Sequence, residues 1–340
     1  MGCMSMIGCL MCIVVLAAAG ICTWKFGPWS NDEKDTKTGD TYAALNTCDG
    51  CCNGLASNCA LAVNEVLFPM VHNAHSSKAD LFLAYNNRKS SEEALVAGFR
   101  GLMLDSCICD GSIGETLQNL WKEKDLVSLW NGGGLGENSL GFCHSSCDAG
   151  VRNPAEVLGN IKTFLDVNKN EVLILEFEIN DDSLVELYSA IDVSGLAKYV
   201  YQSQSTTIEW PTMQSLIDAN SRLLIFAHGD GMESCDTMTC PEGVFYTYDH
   251  FEQTDWNDDT CDIIGNKKEG MGFFLMNHWR NSDDLDLPSE SNAEEFNTFD
   301  ALTNRFEQCK GRRPNVVAVD FWDVGDVLPF VKEVNLKNVE

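Results

Sequence analysis

The sequence predicts an α/β protein built as a single (β/α) barrel of the TIM type. The first observation is a series of short, continuous apolar runs, which is how parallel strands buried on both faces read. The second is that helical patterns lie between several of these runs, as they do in a parallel sheet with crossover helices. The third is that the runs end at polar residues, which are His72, Asp105, His144, Glu178, His228, Asn277 and Asp320.

The helical segments carry their own start and stop signals. Ser90 begins a capping box with Glu93, and Gly98 ends that short helix. Asn153 and Pro154 supply the cap and the first-turn proline of the next helix. Two further helical segments are predicted at 183–191 and 212–217.

The distribution of the polar residues distinguishes two parallel-sheet folds. A (β/α) barrel builds its active site at the C-terminal ends of many strands. A doubly wound open sheet concentrates ligand binding at one switch point. Because polar residues follow nearly every apolar run, the barrel is favoured, and we expect it to span residues 46–335.

Residues 1–24 contain no charged side chain and are largely apolar, and the polar linker 25–45 separates them from the barrel. About 20 apolar residues suffice to span a bilayer, and the small residues at 17–20 suit signal cleavage. We therefore expect 1–24 to be a signal peptide or a membrane anchor. Lysines follow this segment and no basic residue precedes it, which by the positive-inside rule favours a cytoplasmic barrel.

The cysteines indicate the opposite side of the membrane. Four of the 16 lie in the leader, and the rest suit disulfides in an oxidising compartment. The candidates are a cluster of Cys48, Cys51, Cys52 and Cys59, and the pairs Cys143–Cys147, Cys235–Cys240 and Cys261–Cys309. Zinc at Cys48 and Cys51 is the alternative, which lacks further ligands at suitable spacing. We expect a secreted or membrane-anchored protein with its barrel on the lumenal or extracellular side.

The formal net charge is −28, from 51 acidic and 23 basic residues. Such a surface repels the phosphates of a nucleic acid, and no basic stripe offsets it, so we expect no nucleic-acid partner. The chain also has no polybasic patch for anionic lipid. Positive charge that binds a phosphate must therefore be local, supplied by a metal ion or a few side chains.

Two of the strand-end residues, His72 and His144, suit phosphodiester cleavage. One imidazole accepts the proton of the nucleophile, while the other stabilises the phosphoryl charge or protonates the leaving oxygen. A lone histidine after a strand is more often a bystander, but two at matching ends favour a shared site. The oxygen ligands that a hard cation such as Ca²⁺ prefers are supplied by Asn73, Asp105 and Glu178, with strand-end capping as their alternative role.

Several motifs together resemble the X-domain of phosphatidylinositol-specific phospholipases C. Residues 64–73 resemble its first strand with a His-Asn motif, 98–105 its second strand, and 142–145 the strand with the second histidine. The similarity continues through 153–154, 164–165, 171–178, 210–212, 222–226 and 314–321. It covers residues 46–330 in order and is greatest to the stand-alone, X-domain-only branch.

This resemblance implies a role for each matching residue. His72 takes the position of the general acid/base histidine, and His144 that of the second catalytic histidine. Asn73, Asp105 and Glu178 fall on the calcium-ligand positions of the metal-dependent branch. Calcium is therefore the implied cofactor, and a phospholipid or another phosphodiester at a membrane is the implied substrate.

The implied calcium site departs from the family pattern. Met103 stands where the calcium enzymes carry a further acidic ligand, which weakens the ligand set. Asp105 stands where the metal-independent bacterial enzymes carry an arginine, so its negative charge favours a metal. Glu176 lies on the same strand face as Glu178 and is a candidate replacement for the missing acid.

Other polar residues have roles that the sequence leaves open. Asp320 is expected to hydrogen-bond His72 and fix its tautomer, or else to be a structural acid at a strand end. Arg100 is a candidate substrate-binding residue for the phosphate, with a structural salt bridge as the alternative. The histidines that match no functional position, and are expected to be bystanders, are His75, His228 and His278.

The expected function is that of a phosphoric diester hydrolase of the phospholipase C type, acting on a phosphoinositide-like or related phosphodiester lipid. Among enzymes, the alternative is glycerophosphodiesterase or sphingomyelinase-D-like activity, which a related barrel performs with a metal and two histidines. Outside enzymes, the alternative is a catalytically degenerate, membrane-tethered barrel. Met103 in place of an acidic calcium ligand favours the degenerate barrel, and the presence of both His72 and His144 argues against it.

Overall fold

A computed structural model of the protein describes residues 42–45, 48–109, 138–144, 146–181, 183–203, 209–229, 242–256, 260–264, 272–309 and 312–338. The predicted leader and most of the predicted linker lie outside these residues, as does the candidate pair Cys235–Cys240. The domain boundaries therefore stay a prediction. No helix in the described part of the chain is long and apolar enough to cross a membrane.

The strands form one sheet in which most neighbours run parallel. They are β1 (Phe68–Val71), β2 (Gly101–Cys109), β3 (Ser139–Phe142), β4 (Leu173–Ile179), β5 (Leu223–Gly229), β6 (Val244–Tyr246), β7 (Phe251–Thr254), β8 (Ile263–Ile264), β9 (Phe273–Asn277) and β10 (Val316–Val319). Their order across the sheet is β6-β5-β4-β2-β1-β10-β9-β7-β8, and β3 pairs with β2. Only β3 and β8 pair antiparallel among the described residues.

The sheet curls around an apolar interior. Phe226 of β5 lies with its ring centroid 4.7 Å from that of Phe251 on β7 and 5.4 Å from that of Phe273 on β9. Four strands separate β5 from β9 in the sheet, so these rings meet only because the sheet bends back on itself. Among the described residues no ladder joins β6 to β7, so hydrogen bonds do not close the curl. The α/β class is confirmed, and the closed barrel stays a prediction.

Helices lie between many of these strands along the chain. They are α1 (Ser91–Ala97), α2 (Pro154–Val167), α3 (Leu184–Ser194), α4 (Met213–Asp218), α5 (Thr247–His250), α6 (Glu290–Phe296), α7 (Phe299–Gln308) and α8 (Val327–Lys337). Side chains of α2, α3, α7 and α8 share one buried cluster with the outward-facing residues of the strands, because strand side chains alternate between the two faces.

The local signals in the sequence explain where the helices begin. The Ser90 hydroxyl accepts from the Glu93 backbone N–H, the Glu93 carboxylate accepts from the Ser90 N–H, and Gly98 ends α1 with a φ of 132°. Asn153 accepts from the Ala155 N–H at the start of α2. Helix α2 buries the predicted face, which is Val157, Leu158, Ile161, Phe164 and Leu165.

Disulfides connect several of these elements. Those within the described residues are Cys48–Cys51, Cys52–Cys59, Cys107–Cys143, Cys109–Cys147 and Cys261–Cys309. They confirm disulfides rather than zinc for the N-terminal cluster, and they confirm the pairing of Cys261 with Cys309. The pairing of Cys143 with Cys147 is wrong. Antiparallel β3 sets both of these cysteines beside β2, where each finds a different partner.

Candidate active site

The site lies at the edge of the sheet where the parallel strands end. His72 and Asp320 directly follow β1 and β10, whose aligned residues pair up to Val71 and Val319. Asp105 of β2 and Glu178 of β4 are aligned partners in neighbouring strands. Since the carboxyl ends of parallel strands meet at one edge, this register brings His72, Asp105, Glu178 and Asp320 to the same edge of the sheet. We call this edge the mouth of the site.

His72 forms the first imidazole–carboxylate pair of the site. Its Nδ1 donates to Oδ1 of Asp320 at 2.8 Å, and Asn86 donates to the same oxygen at 3.1 Å. The Asp320 side chain is 4% exposed, whereas that of His72 is 17% exposed. Because Nδ1 is committed to the carboxylate, Nε2 is the nitrogen left for proton transfer. The ring of Trp279 stacks on the His72 ring at 3.8 Å and 10°, which fixes the plane of the imidazole.

His144 forms the second pair, with Asp105. The two side chains approach to 3.0 Å between Nδ1 and Oδ2. The Asn73 amide completes a triangle: its NH₂ donates to both carboxylate oxygens of Asp105 at 3.1 and 3.2 Å, and its carbonyl oxygen lies 3.0 Å from His144 Nδ1. Asn73 has a φ of 43°, a left-handed conformation that asparagine tolerates, and this turn directly after His72 aims the amide at the second pair.

The charges of the site shift the pKa values of this second pair. Burial alone would lower the pKa of His144, but the hydrogen bond and negative charge of Asp105, with Asp320 and Glu178 behind it, raise that pKa above its usual value. Burial alone would raise the pKa of Asp105, but its hydrogen bond to His144 and the nearby histidines hold it below its usual value. Each partner therefore stabilises the charged form of the other, the imidazolium of His144 and the carboxylate of Asp105.

A third imidazole and two glutamates stand on the next two strands. His228 of β5 is aligned with Glu178, and its Nδ1 lies 3.4 Å from Oε1 of Glu176, which is buried. Although the Glu178 side chain is exposed at the mouth, partial burial and the negative charge of Asp105 raise its pKa. His228, predicted to be a bystander, therefore adjoins the predicted residues. Its place after an apolar run was the signal in the sequence.

His75, which the sequence predicts to be a bystander, adjoins the site through Asp105. It is completely buried, and its Nδ1 accepts from the backbone N–H of Asp105 at 3.4 Å. Its ring lies edge-on to Phe82, and its Nε2 has no hydrogen-bond partner within the described chain. Burial lowers the pKa of His75 to about 4, so the ring is neutral at physiological pH. His278 donates from Nε2 to the Phe296 carbonyl at 2.8 Å, and its expected bystander role stays a prediction.

Acidification should lower the free energy of unfolding through His75. Because the folded pKa of His75, about 4, lies below its ordinary value of 6.5, the unfolded chain takes up the proton first, and stability falls as pH drops from about 6.5 towards 4. We expect a loss of about 3 kcal/mol over this window, since each pKa unit is worth about 1.4 kcal/mol. Urea unfolding at pH 7 and pH 4.5 measures it. In His75→Leu most of this difference should vanish, and an unchanged difference would contradict the assignment.

Arg100 does not lie with the other predicted residues. It precedes β2, at the strand end opposite Asp105, and only 3% of it is exposed. Its Nε donates to Glu171 Oε2 at 2.6 Å, and its NH1 donates to the carbonyls of Leu95 and Phe99. The predicted substrate-binding role is therefore corrected to the structural salt bridge that the sequence left as the alternative.

The three predicted calcium ligands do not fit a calcium ion as they are arranged. The oxygens of Asp105 accept from Asn73 and His144, and the Asn73 carbonyl faces His144. Met103 packs with the apolar interior. In the described part of the chain, Asp105, Glu176 and Glu178 do not bring their ligand atoms within 4.8 Å of one another; the group that does is Cys107, Cys109 and Cys147, which form disulfides. Calcium prefers several oxygens free to converge on it.

The protein is an α/β protein with a curled, mostly parallel sheet and two histidine–aspartate pairs at the carboxyl edge of that sheet. The family model described as PI-PLC X 1 matches residues 135–335, which is more than half of the chain and includes His144, Glu178 and Asp320. The protein belongs to the PI-PLC X-domain family.

Individual relatives agree with this assignment. The chain is 27% identical over 302 residues to "PI-PLC X domain-containing protein 1" of Arthroderma benhamiae, covering 84% of this chain and 89% of the relative. It is 23% identical to an "Uncharacterized secreted protein" of the same organism, covering 84% of this chain and 63% of that one. Among solved structures, the phosphatidylinositol-specific phospholipase C of Listeria monocytogenes is similar with a TM-score of 0.51 and 16% identity, over 84% of this chain and 98% of that one. This last similarity concerns the fold alone.

Proposed function

We propose that the protein is a phosphoric diester hydrolase of the phospholipase C type, acting on a phosphoinositide-like or related phosphodiester lipid. One observation carries the proposal. The adjacent residues His72 and Asn73 join two imidazole–carboxylate pairs, because His72 bonds Asp320 while Asn73 bonds Asp105 and His144. Two imidazoles in one mouth provide a base and an acid for the same reaction. The family assignment supports a phosphodiesterase of the phospholipase C type.

In the proposed reaction a hydroxyl next to the phosphodiester attacks phosphorus. His72 Nε2 takes up the hydroxyl proton. Asp320 stabilises the imidazolium that forms, because its Oδ1 accepts a hydrogen bond from Nδ1, with 2.8 Å between the two atoms. His144, which Asp105 favours in its protonated form, stabilises the negative charge on the phosphoryl oxygens or protonates the leaving oxygen. A cyclic phosphate forms first, and water opens it in a second step. In the predicted closed barrel, the strands of the curled sheet surround this mouth.

A substrate panel tests the proposed reaction against its alternatives. Phosphatidylinositol in mixed micelles should be cleaved, and removal of the hydroxyl next to the phosphate should abolish turnover, because no internal nucleophile remains. Glycerophosphodiesters or sphingomyelin should be poor substrates. Turnover of sphingomyelin without a cyclic product would instead support the sphingomyelinase-D-like alternative. Binding without any turnover would support the degenerate barrel, which Met103 at the calcium-ligand position favours.

Chelation should have little effect on the proposed activity. The side-chain oxygens of Asp105 and Asn73 are already committed to hydrogen bonds. We therefore expect turnover with a calcium chelator to differ by less than about twofold from turnover with about 1 mM calcium. The measurement is a calcium titration of the purified protein on phosphatidylinositol. Activation by tenfold or more would mean that Asn73, Asp105 and Glu178 rearrange to hold the metal, as the resemblance implies.

We also propose that the described part of the protein works in an oxidising, extracellular or lumenal environment. Five disulfides support this placement, since such bonds persist mainly outside the reducing cytosol. The name of the secreted relative from Arthroderma benhamiae agrees with it. Whether residues 1–24 act as a cleaved signal or a membrane anchor is tested by N-terminal sequencing of the protein recovered from medium and from membranes.

A further inference from the structure

The position of His144 poses a structural problem. His144 follows β3, and residues 110–137 lie between β2 and the start of that segment. A sequence separation of this length does not by itself bring Asp105 and His144 together, because the entropic cost of bringing two residues into contact rises with the number of residues between them. Yet the Asp105 carboxylate, on β2, must meet the His144 ring within 3.0 Å. Other contacts must therefore hold the His144 segment against β2.

Backbone contacts supply part of this attachment. Strand β3 pairs antiparallel with the end of β2, from Ser106 opposite Phe142 to Cys109 opposite Ser139. The backbone N–H of Cys143 then donates to the carbonyl of Asp105 at 3.2 Å. On its other side, within the described residues, β3 is joined at Phe142 alone, by a two-bond bridge to Arg152. A short edge ladder of this kind opens more readily than the central strands of a sheet.

Two disulfides add covalent links on either side of His144. Cys143 immediately precedes His144 and is bonded to Cys107, which lies two residues beyond Asp105 on the same face of β2. Cys147 follows three residues later and is bonded to Cys109. The cysteines at 107, 109 and 143 are buried and share one small cluster with Val151. Cys107 Sγ also lies 3.4 Å from Cys147 Sγ, so the two links are in contact.

We propose that the Cys107–Cys143 disulfide is a positioning cross-link, which holds His144 against Asp105 and so sets the second acid–base group of the site. The proposal rests on the proposed function for its catalytic consequence. The disulfide joins Cys143, which is next to His144, to Cys107, which is two residues from Asp105 on the same strand face, so a covalent link runs alongside the hydrogen bond between Asp105 and His144. Neither His72 nor Asp320 adjoins a cysteine, so the first pair does not depend on this link.

Reduction of the Cys107–Cys143 bond should therefore displace His144 and leave His72 in position. A dithiol reductant converts the Cys107–Cys143 bond to two thiols and is itself oxidised to a cyclic disulfide. His144 then loses the nearer of its two covalent links to β2, while His72 keeps its hydrogen bond to Asp320. A displacement of about 1 Å is enough to cost on the order of 100-fold in rate.

The test is the double variant Cys107→Ala/Cys143→Ala, compared with Cys261→Ala/Cys309→Ala. The control removes a disulfide of similar sequence separation, 48 against 36 residues, away from the site. We expect kcat to fall about 10- to 100-fold in the first variant with KM within about twofold, and the control to stay close to the parent protein. In a His144→Ala background the first substitution should cause no further loss of kcat, because the disulfide acts through His144.

Histidine ring NMR separates this inference from the proposed function. Loss of the cross-link should move the His144 signal and leave the His72 signal in place, whether or not the protein turns over lipid. If the parent protein shows no turnover, the proposed function fails while the ring signals still test the positioning. An unmoved His144 signal, or an equal loss of kcat with and without His144, would overturn the positioning role. If the double variant does not fold, brief dithiol treatment of the native protein, with alkylation mapping of Cys107 and Cys143, gives the same readout.

Discussion

The variant His72→Ala is expected to lose about 10²- to 10⁴-fold in kcat on phosphatidylinositol, the range that a positioned general base contributes. The reason is that Nε2 of His72 is the nitrogen freed for proton transfer, since Nδ1 is held by Asp320 at 2.8 Å. Steady-state kinetics on mixed micelles measures it. KM should change little, because the imidazole acts on the proton in the transition state rather than on lipid binding.

The matched control is His250→Ala, another histidine-to-alanine change, which lies among aromatic rings between β6 and β7 rather than in either pair. It should keep kcat within about threefold. Asp320→Asn should lose activity by a related route, because an amide can donate to Nδ1 and so favour the wrong tautomer. If His72→Ala and Asp320→Asn both keep parental kcat, the first pair has no catalytic role.

The variant Glu171→Ala is expected to lower the free energy of unfolding by about 3–5 kcal/mol, because it leaves the Arg100 guanidinium buried without its carboxylate. Both side chains are almost fully buried, with exposures of 4% and 2%, so water cannot replace the lost partner. Chemical denaturation at pH 7 measures the change. The kcat of the folded fraction should stay close to parental, because this ion pair lies at the strand end opposite the site.

The double variant Arg100→Leu/Glu171→Ala is the control for this assignment. Removing both charges avoids an uncompensated buried cation, so much of the stability lost in Glu171→Ala should return. A structural ion pair predicts this recovery. A phosphate-binding Arg100 predicts instead that the double variant folds but loses substrate affinity, seen as a rise in KM, and that result would restore the role expected from the sequence.

Local patterns in the sequence predicted the site because the carboxyl ends of parallel strands meet at one edge of the sheet. An apolar run that ends at His72 or Asp105 places that residue at the common edge, whatever the rest of the fold does. Helix caps at Ser90 and Asn153 are equally local, since each cap contacts a backbone group two or three residues away. These features needed no knowledge of which strands are neighbours.

Contacts between distant segments could not be read in the same way. The stacking of Trp279 on His72 joins residues that no periodicity relates, and the cross-links from β2 to Cys143 and Cys147 depend on an antiparallel β3. The sequence left two roles open for Arg100, because a basic residue beside a catalytic motif can either bind substrate or form a structural salt bridge. Burial decides that question, and burial is a property of the folded chain.

In the proposed reaction, two imidazole–carboxylate pairs at one edge of the sheet cleave a phosphodiester by internal attack. A ³¹P NMR time course on phosphatidylinositol tests this most directly, comparing the parent protein with His72→Ala and His144→Ala. The parent protein should form a cyclic inositol phosphate as its first product, and both variants should form none over the same time. A parent protein that forms no cyclic phosphate, or two variants that form it at the parental rate, would contradict it.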